Sequence, residues 1–325
     1  MYKINMKVII WGYKENSHTH HFIHEAFFNT FKFLGYDVYW FDDKNYPSDF
    51  NWNNCLFWTE GFADKNIPLN SNSVYFVHVC PDPCKYLNAN VKKFIDVRYN
   101  NKWHHDHVYS YTMNKEKMQK IGACVYLEES SKQQIFLKND YISKAMSDYD
   151  KLYISWATHL LPNQINFDDI YFPRQNKIYF CGNLTPNGRC ENLSSFMPFI
   201  YECEKNNIEF IHNDPFQKPL SSFEVEMRTK NSLLGVDIRG PEHLKNGYVP
   251  CRVFKSISFG HLGITNSQNV YEELEGNCIH NSDTAELFYD SFWMRFDYNF
   301  IKTSMLYVKE NHTYINRINS ILKIL

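Results

Sequence analysis

The stretch Gly247-Tyr-Val-Pro-Cys-Arg-Val-Phe-Lys-Ser-Ile-Ser-Phe-Gly-His-Leu-Gly-Ile-Thr-Asn-Ser267 decides the fold class. Pro250 suits the first position of a helix, where it has no N–H to lose. Apolar residues recur with helical spacing over 251–259, and Gly260 stops the run. A short apolar strand over 262–265 follows. It leads to Thr265-Asn-Ser, small polar groups at a strand's carboxyl end, where open α/β sheets bind ligands. Arg252 and Lys255 share one face near the helix start. Free helix N–H groups and two cations there suit a diphosphate. The competing reading is a surface helix with ordinary basic residues.

Working outward, the same strand–turn–helix grammar recurs. Lys7–Trp11 (KVIIW) ends at Gly12, and Phe22 to Leu34 has helical spacing and stops at Gly35. Further strands are expected at 37–41, 55–58, 74–79, 94–99, 124–127 and 152–156. Their continuous apolar character predicts burial on both faces, and helices between strands predict parallel pairing. A second series starts with Lys177–Cys181. It continues through a helix over 196–205, strands at 209–212 and 232–238, and the unit quoted above. Two βα series joined by the polar stretch 162–175 predict two Rossmann-like domains. The boundaries expected are 1–165, 166–299, and a helix over 300–325 that returns to the first domain.

Composition narrows the function. The chain has 325 residues, of which 44% are hydrophobic and 17% aromatic, enough for two cores. A net charge of −2 lacks the basic footprint of a nucleic-acid binder. No apolar run approaches the ~20 residues of a membrane span. The N-terminus reads as a strand rather than a signal peptide. Nine scattered cysteines read as reduced thiols. The setting expected is the cytoplasm, a host's if the source is viral.

The helix–Gly–strand unit at 247–267 resembles the donor-binding segment of the GT-B glycosyltransferases, with Gly260 on the family glycine and 262–264 on its short strand. The order of two βα series and a terminal helix is similar over nearly the whole chain. The resemblance implies two Rossmann-like domains facing each other across a cleft. It also implies transfer of a sugar from a GDP- or UDP-linked donor to a glycan or other hydroxyl acceptor. Many retaining members carry two glutamates eight positions apart here; Gly247 and Lys255 stand at those positions. Arg252-Val-Phe-Lys255 loosely resembles the basic–apolar–aromatic–basic run of α1,3-fucosyltransferase-like enzymes. An inverting displacement without a catalytic metal or other cofactor is therefore expected.

The donor residues that follow are Gly182, Asn183 and Arg189 in the loop after 177–181, His212 and Asp214 at the next strand end, and Arg239 at the third. Tyr248, Arg252, Lys255, Asn266 and Ser267 complete the set. Gly182 allows close backbone approach, and arginines match phosphate oxygens. In the first half, the loop and helix start at 11–24 carry His18, His20, His21 and His24. A histidine suits a general base because it titrates near neutral pH. His20 is the first candidate and His18 the second. His21, Glu60 and Asp82 are expected to touch the acceptor. A metal-dependent hydrolase is the alternative, built on His18, His20, His24 and the cluster His104-His-Asp-His107, with His20 and His24 at i,i+4. A non-catalytic nucleotide- or sugar-binding module is the other.

Overall fold

The computed structural model describes residues 5–15, 19–98, 102–104, 110–112, 118–129, 133–136, 143–146, 149–184, 192–215, 217–218 and 220–325. The chain is mixed α/β and divides into two compact units. Unit 1 comprises 1–155 with 314–325, and unit 2 comprises 156–313. The division falls at Ser155/Trp156, ahead of the expected 165.

Unit 1 is built on β1 (Lys7–Trp11), α1 (Thr19–Phe33), β2 (Val38–Phe41), β3 (Cys55–Glu60), β4 (Val74–His78), α2 (Cys84–Asn88) and β5 (Lys93–Arg98). Short pairs β6 (Lys102–His104) with β7 (Ser110–Thr112), and β10 (Gln133–Phe136) with β11 (Ser143–Met146), flank β8 (Met118–Gly122) and β9 (Val125–Glu128). β12 (Asp150–Ile154) completes an eight-stranded sheet of order β2-β1-β3-β4-β5-β12-β9-β8. The pairs from β2 to β12 are parallel. The strand expected at 124–127 breaks that rule: β9 runs antiparallel to β12 and β8. The cause is a tight turn at Ala123-Cys124, with Cys124 at φ 52, which folds β8 straight back onto β9.

β3 and β4 are buried at every position, as continuous apolar strands should be. Their cover is not two helical layers. On one face lies α1, whose Phe27 stacks on Trp58 at 3.9 Å. The opposite face is closed by an aromatic cluster that includes Trp11, Phe57, Tyr75, Tyr86 and Phe94, with Phe50 and Trp52 packed from a loop. No helix stands between β3 and β4 to do this, so loop aromatics take over. Farther along this face the apolar cover gives way to charge. The ladder aligns Asp96, Lys151 and Glu128 across β5, β12 and β9. All three are at most 3% exposed. Lys151 Nζ meets Glu128 at 3.4 Å, and Arg98 pairs with Asp96.

α1 begins at Thr19, three residues before its apolar spacing starts, and ends where Gly35 takes φ 79. Gly35 N–H and Tyr36 N–H donate to Lys32 O and Phe31 O at 3.0 and 3.1 Å, closing a Schellman motif.

Unit 2 holds β13 (Lys177–Cys181), α3 (Asn192–Lys205), β14 (Glu209–Asn213), α4 (Ser222–Asn231), β15 (Gly235–Asp237), α5 (Pro241–Lys245), α6 (Cys251–Ser258), β16 (Gly263–Thr265), α7 (Gln268–Glu273), β17 (Ile279–His280), α8 (Thr284–Met294) and α9 (Tyr298–Asn311). β13 and β14 are parallel, as are β15, β16 and β17. The strand expected at 232–238 pairs only over 235–237, because Ser232 Oγ accepts from Tyr179 N–H at 3.1 Å and takes the place of a ladder carbonyl. Pro250 is the cap before α6 rather than its first residue. The last helix, α10 (Tyr314–Leu322), belongs to unit 1, whereas α9 stays in unit 2. Fully buried Arg317 secures α10 by donating to Ser155 O and Ala123 O, both at 2.9 Å. Among the described residues, no helix is long and apolar enough to cross a membrane.

Gly260 makes a direct test of this packing. Its φ is 77, and a Cβ there would lie 2.7 Å from the backbone of Asp169 and Ile170. Gly260→Ala should therefore cost at least the roughly 1–3 kcal/mol of a left-handed non-glycine residue, read as a lower urea midpoint.

Candidate functional site

In unit 1 the parallel strands β1, β3 and β4 end side by side and turn sharply. β1 runs into Gly12 (φ 97) and Tyr13 (φ 58), β3 ends in Glu60, and β4 ends in His78 before Val79 (φ 52). Gly12 is obligatory, because Ala63 Cβ lies 2.7 Å from where a Cβ would stand. The start of α1 lays His20, His21 and His24 over these strand ends.

Glu60 is the centre of the cluster and is 2% exposed. Its Oε2 accepts from the Tyr13 hydroxyl at 2.7 Å and from Phe62 N–H at 3.0 Å. Its Oε1 lies 3.7 Å from His20 Nδ1. His24 is fully buried, and its Nδ1 lies 2.9 Å from Gly12 O. A carbonyl can only accept, so Nδ1 carries the proton and Nε2 the lone pair. His78 Nε2–H then donates to His24 Nε2 at 2.9 Å. Burial pushes the His24 pKa down to about 4, so the ring is neutral at ordinary pH. Burial and Glu60 both push the Tyr13 phenol up, keeping it a donor. A carboxylate beside an imidazole orients the ring and stabilises the imidazolium that forms when it takes a proton. His20, with 15% of its side chain exposed, can do this work.

In unit 2 the carboxyl ends of β13, β15 and β16 gather a second polar group. Asp237 is fully buried, and its Oδ1 lies 2.5 Å from Arg239 Nη2 and 3.4 Å from Arg252 Nη1. Arg239, 5% exposed, lies over the Tyr248 ring at 5.1 Å, and its Nε finds no acceptor among the described residues. Arg252 donates to Cys181 O through Nε and Nη2 at 3.2 and 2.7 Å and lies 4.3 Å over Phe180. A Cβ at Gly182 would run into that guanidinium, which is why glycine stands there. Asn266 is tied to the Arg239 backbone by two hydrogen bonds of 2.8 and 2.9 Å. Asn192 Oδ1 accepts from Gly240 N–H at 2.7 Å and lies 3.3 Å from His243 Nδ1. Burial first, then Arg239, brings the His243 pKa down to about 4.

The expected site residues fare differently. Gly182, Arg239, Tyr248, Arg252 and Asn266 come together at this edge. Neither arginine stands free, since both already engage Asp237. His212 is exposed and lies 2.6 Å from Gly182 O, so it braces the loop. Exposed Asn183 offers its carbonyl to Asn192 at 3.0 Å. Asp214 carries the turn to Lys218 through its backbone carbonyl, at 2.9 Å. Ser267 caps α7 and is buried. Lys255 lies toward His159, whose pKa burial and Lys255 together bring to about 3. In unit 1, His20 and Glu60 are partners, while His21 stacks on Trp40 and lies 2.7 Å from Tyr13 O. Asp82 is exposed and accepts from Lys85 N–H at 3.3 Å, just ahead of α2. His18, Arg189 and residues 105–107 lie outside the described residues.

Among the described residues, no three His, Cys, Asp or Glu side chains are placed to hold a metal ion. His24, expected as a ligand in the hydrolase alternative, has both nitrogens engaged by Gly12 and His78. Tyr13, Asp237, Asn192 and His243 were not singled out beforehand, and only Asp237, at a strand end, carried a signal.

No protein-family model matches the chain, and no curated protein matches it.

The His24–Gly12 bond predicts a pH dependence. The folded pKa lies below the ordinary 6.5, so the contribution of neutral His24 is fully present above pH 6.5. It shrinks as pH falls and is lost by about pH 4, a change of about 3 kcal/mol. Urea midpoints at pH 7 and 4.5 should fall more for the parent than for His24→Gln.

Proposed function

We propose that the chain is an inverting glycosyltransferase that moves a sugar from a GDP- or UDP-linked donor to a hydroxyl of a glycan or other acceptor. One observation carries the reading. Arg239 is buried at the carboxyl edge of parallel strands, with Arg252 beside it and Nε short of an acceptor. A buried guanidinium short of acceptors is matched by a phosphate oxygen, which takes charge-assisted and often bidentate hydrogen bonds.

Unit 2 then holds the donor, and Arg239 and Arg252 stabilise the charge that develops on the leaving diphosphate. Unit 1 supplies the base. His20 takes the proton of the acceptor hydroxyl as its oxygen forms the bond to the anomeric carbon, and the bond from that carbon to phosphate oxygen breaks. Glu60 holds the imidazolium, with Tyr13 and Phe62 N–H fixing the carboxylate. The resemblance of 247–267 to a GT-B donor segment supports the same assignment.

The test is binding and transfer in the full chain. UDP, GDP and their sugars are screened by thermal shift, since a selective ligand stabilises the fold by mass action. Arg239→Ala should weaken the selected nucleotide about ten- to hundredfold. His20→Ala should cut transfer about 10²–10⁴-fold with donor affinity kept, and transfer by the parent should survive EDTA. Loss of activity on chelation, restored by a divalent ion, would move the reading to metal chemistry.

A further inference from the structure

We propose that Asp237 is a built-in counter-ion of the donor site that limits how tightly unit 2 holds a nucleoside diphosphate. This rests on unit 2 being the donor site. The carboxylate sits where a phosphate oxygen would be most welcome, between the guanidinium of Arg239 at 2.5 Å and that of Arg252 at 3.4 Å. Its other oxygen, Oδ2, finds no hydrogen-bond partner among the described residues. The carboxylate cannot swing into water, since it is fully buried at the end of β15.

Two effects of opposite sign follow. Without Asp237 the arginines would oppose each other: burial, and after it Arg239, pulls the Arg252 pKa down. Burial also works against charged Arg239, but Asp237, with Tyr248 behind it, holds that pKa up. Asp237 therefore offsets the repulsion between the two guanidinium groups and aims them. The cost falls on the ligand. Two cations and one buried anion leave a single uncompensated positive charge, and an arriving phosphate must share donors with a carboxylate it repels in a poorly screened site. A site of this kind releases its diphosphate product, a step that limits turnover in many transferases.

The experiment is calorimetric titration of the full chain with UDP and GDP, and with uridine and guanosine as uncharged controls. Asp237→Asn keeps the shape and removes the charge. Asp237→Ser removes the charge and leaves room for a water. Either variant should bind the diphosphate about tenfold or more tightly, equivalent to about 1.4 kcal/mol, with the nucleoside unchanged and single-turnover transfer followed by slowed release. Equal or weaker diphosphate binding by both variants would overturn the inference, making Asp237 a device for placing the arginines. Loss of cooperative unfolding in both would overturn it too, making the carboxylate structural. A parent that binds none of the four ligands would instead count against the donor-site reading itself.

Discussion

The hydrogen bond between His24 and the carbonyl of Gly12 is the contact on which the unit 1 cluster depends. A strand that ends in a buried sheet must turn without leaving its carbonyl unpaired. Gly12 turns with a positive φ that α1 crosses closely, and its carbonyl takes two donors, Trp40 Nε1 at 3.0 Å and His24 Nδ1 from one turn inside that helix. Because Nδ1 is committed to this bond, Nε2 must accept, and His78 is recruited from β4. Tyr13 is then held in its left-handed conformation, with its hydroxyl on Glu60, and Glu60 faces His20. Three strand ends and a helix start are thus joined by polar contacts.

The unit 2 group obeys the same constraint with a different solution. Strand ends there are short, and the carbonyl of Cys181 is satisfied by Arg252 reaching from α6. That reach requires a residue without a side chain at 182. Helix and loop therefore fix each other: the arginine occupies the space a Cβ would need, and stacks on Phe180 while it does so.

Strand positions were readable because the central strands are apolar at nearly every residue; β1, β3 and β4 lie where KVIIW and the runs near 55 and 74 put them. The start of α1 was not, since Thr19, His20 and His21 carry no helical apolar spacing. Nor was the antiparallel return of β9, whose turn uses Cys124 at positive φ rather than an Asn-Gly pair. Of the candidate sites, the sequence offers single residues such as His20, Glu60 and Arg239, but not Tyr13, Asn192 or His243, and not which side chains meet. Glu60 and His20 are forty positions apart and were assigned separate tasks, and Asp237 was passed over for its neighbour Arg239. Neither spacing nor composition encodes which side chains meet across parallel strands.

The row of Asp96, Lys151 and Glu128 constrains how this protein can change over generations. Removing any one member strands a buried partner of opposite sign, a loss of about 3–5 kcal/mol, whereas replacing a pair by apolar residues of similar volume is often neutral. Drift on this face must therefore proceed by paired exchange. A lineage that loses Glu128 alone passes through a poorly folded ancestor before Lys151 can follow. Coupled identities at 96 with 98, and at 128 with 151, are the mark this leaves across descendants, each pair charged together or apolar together.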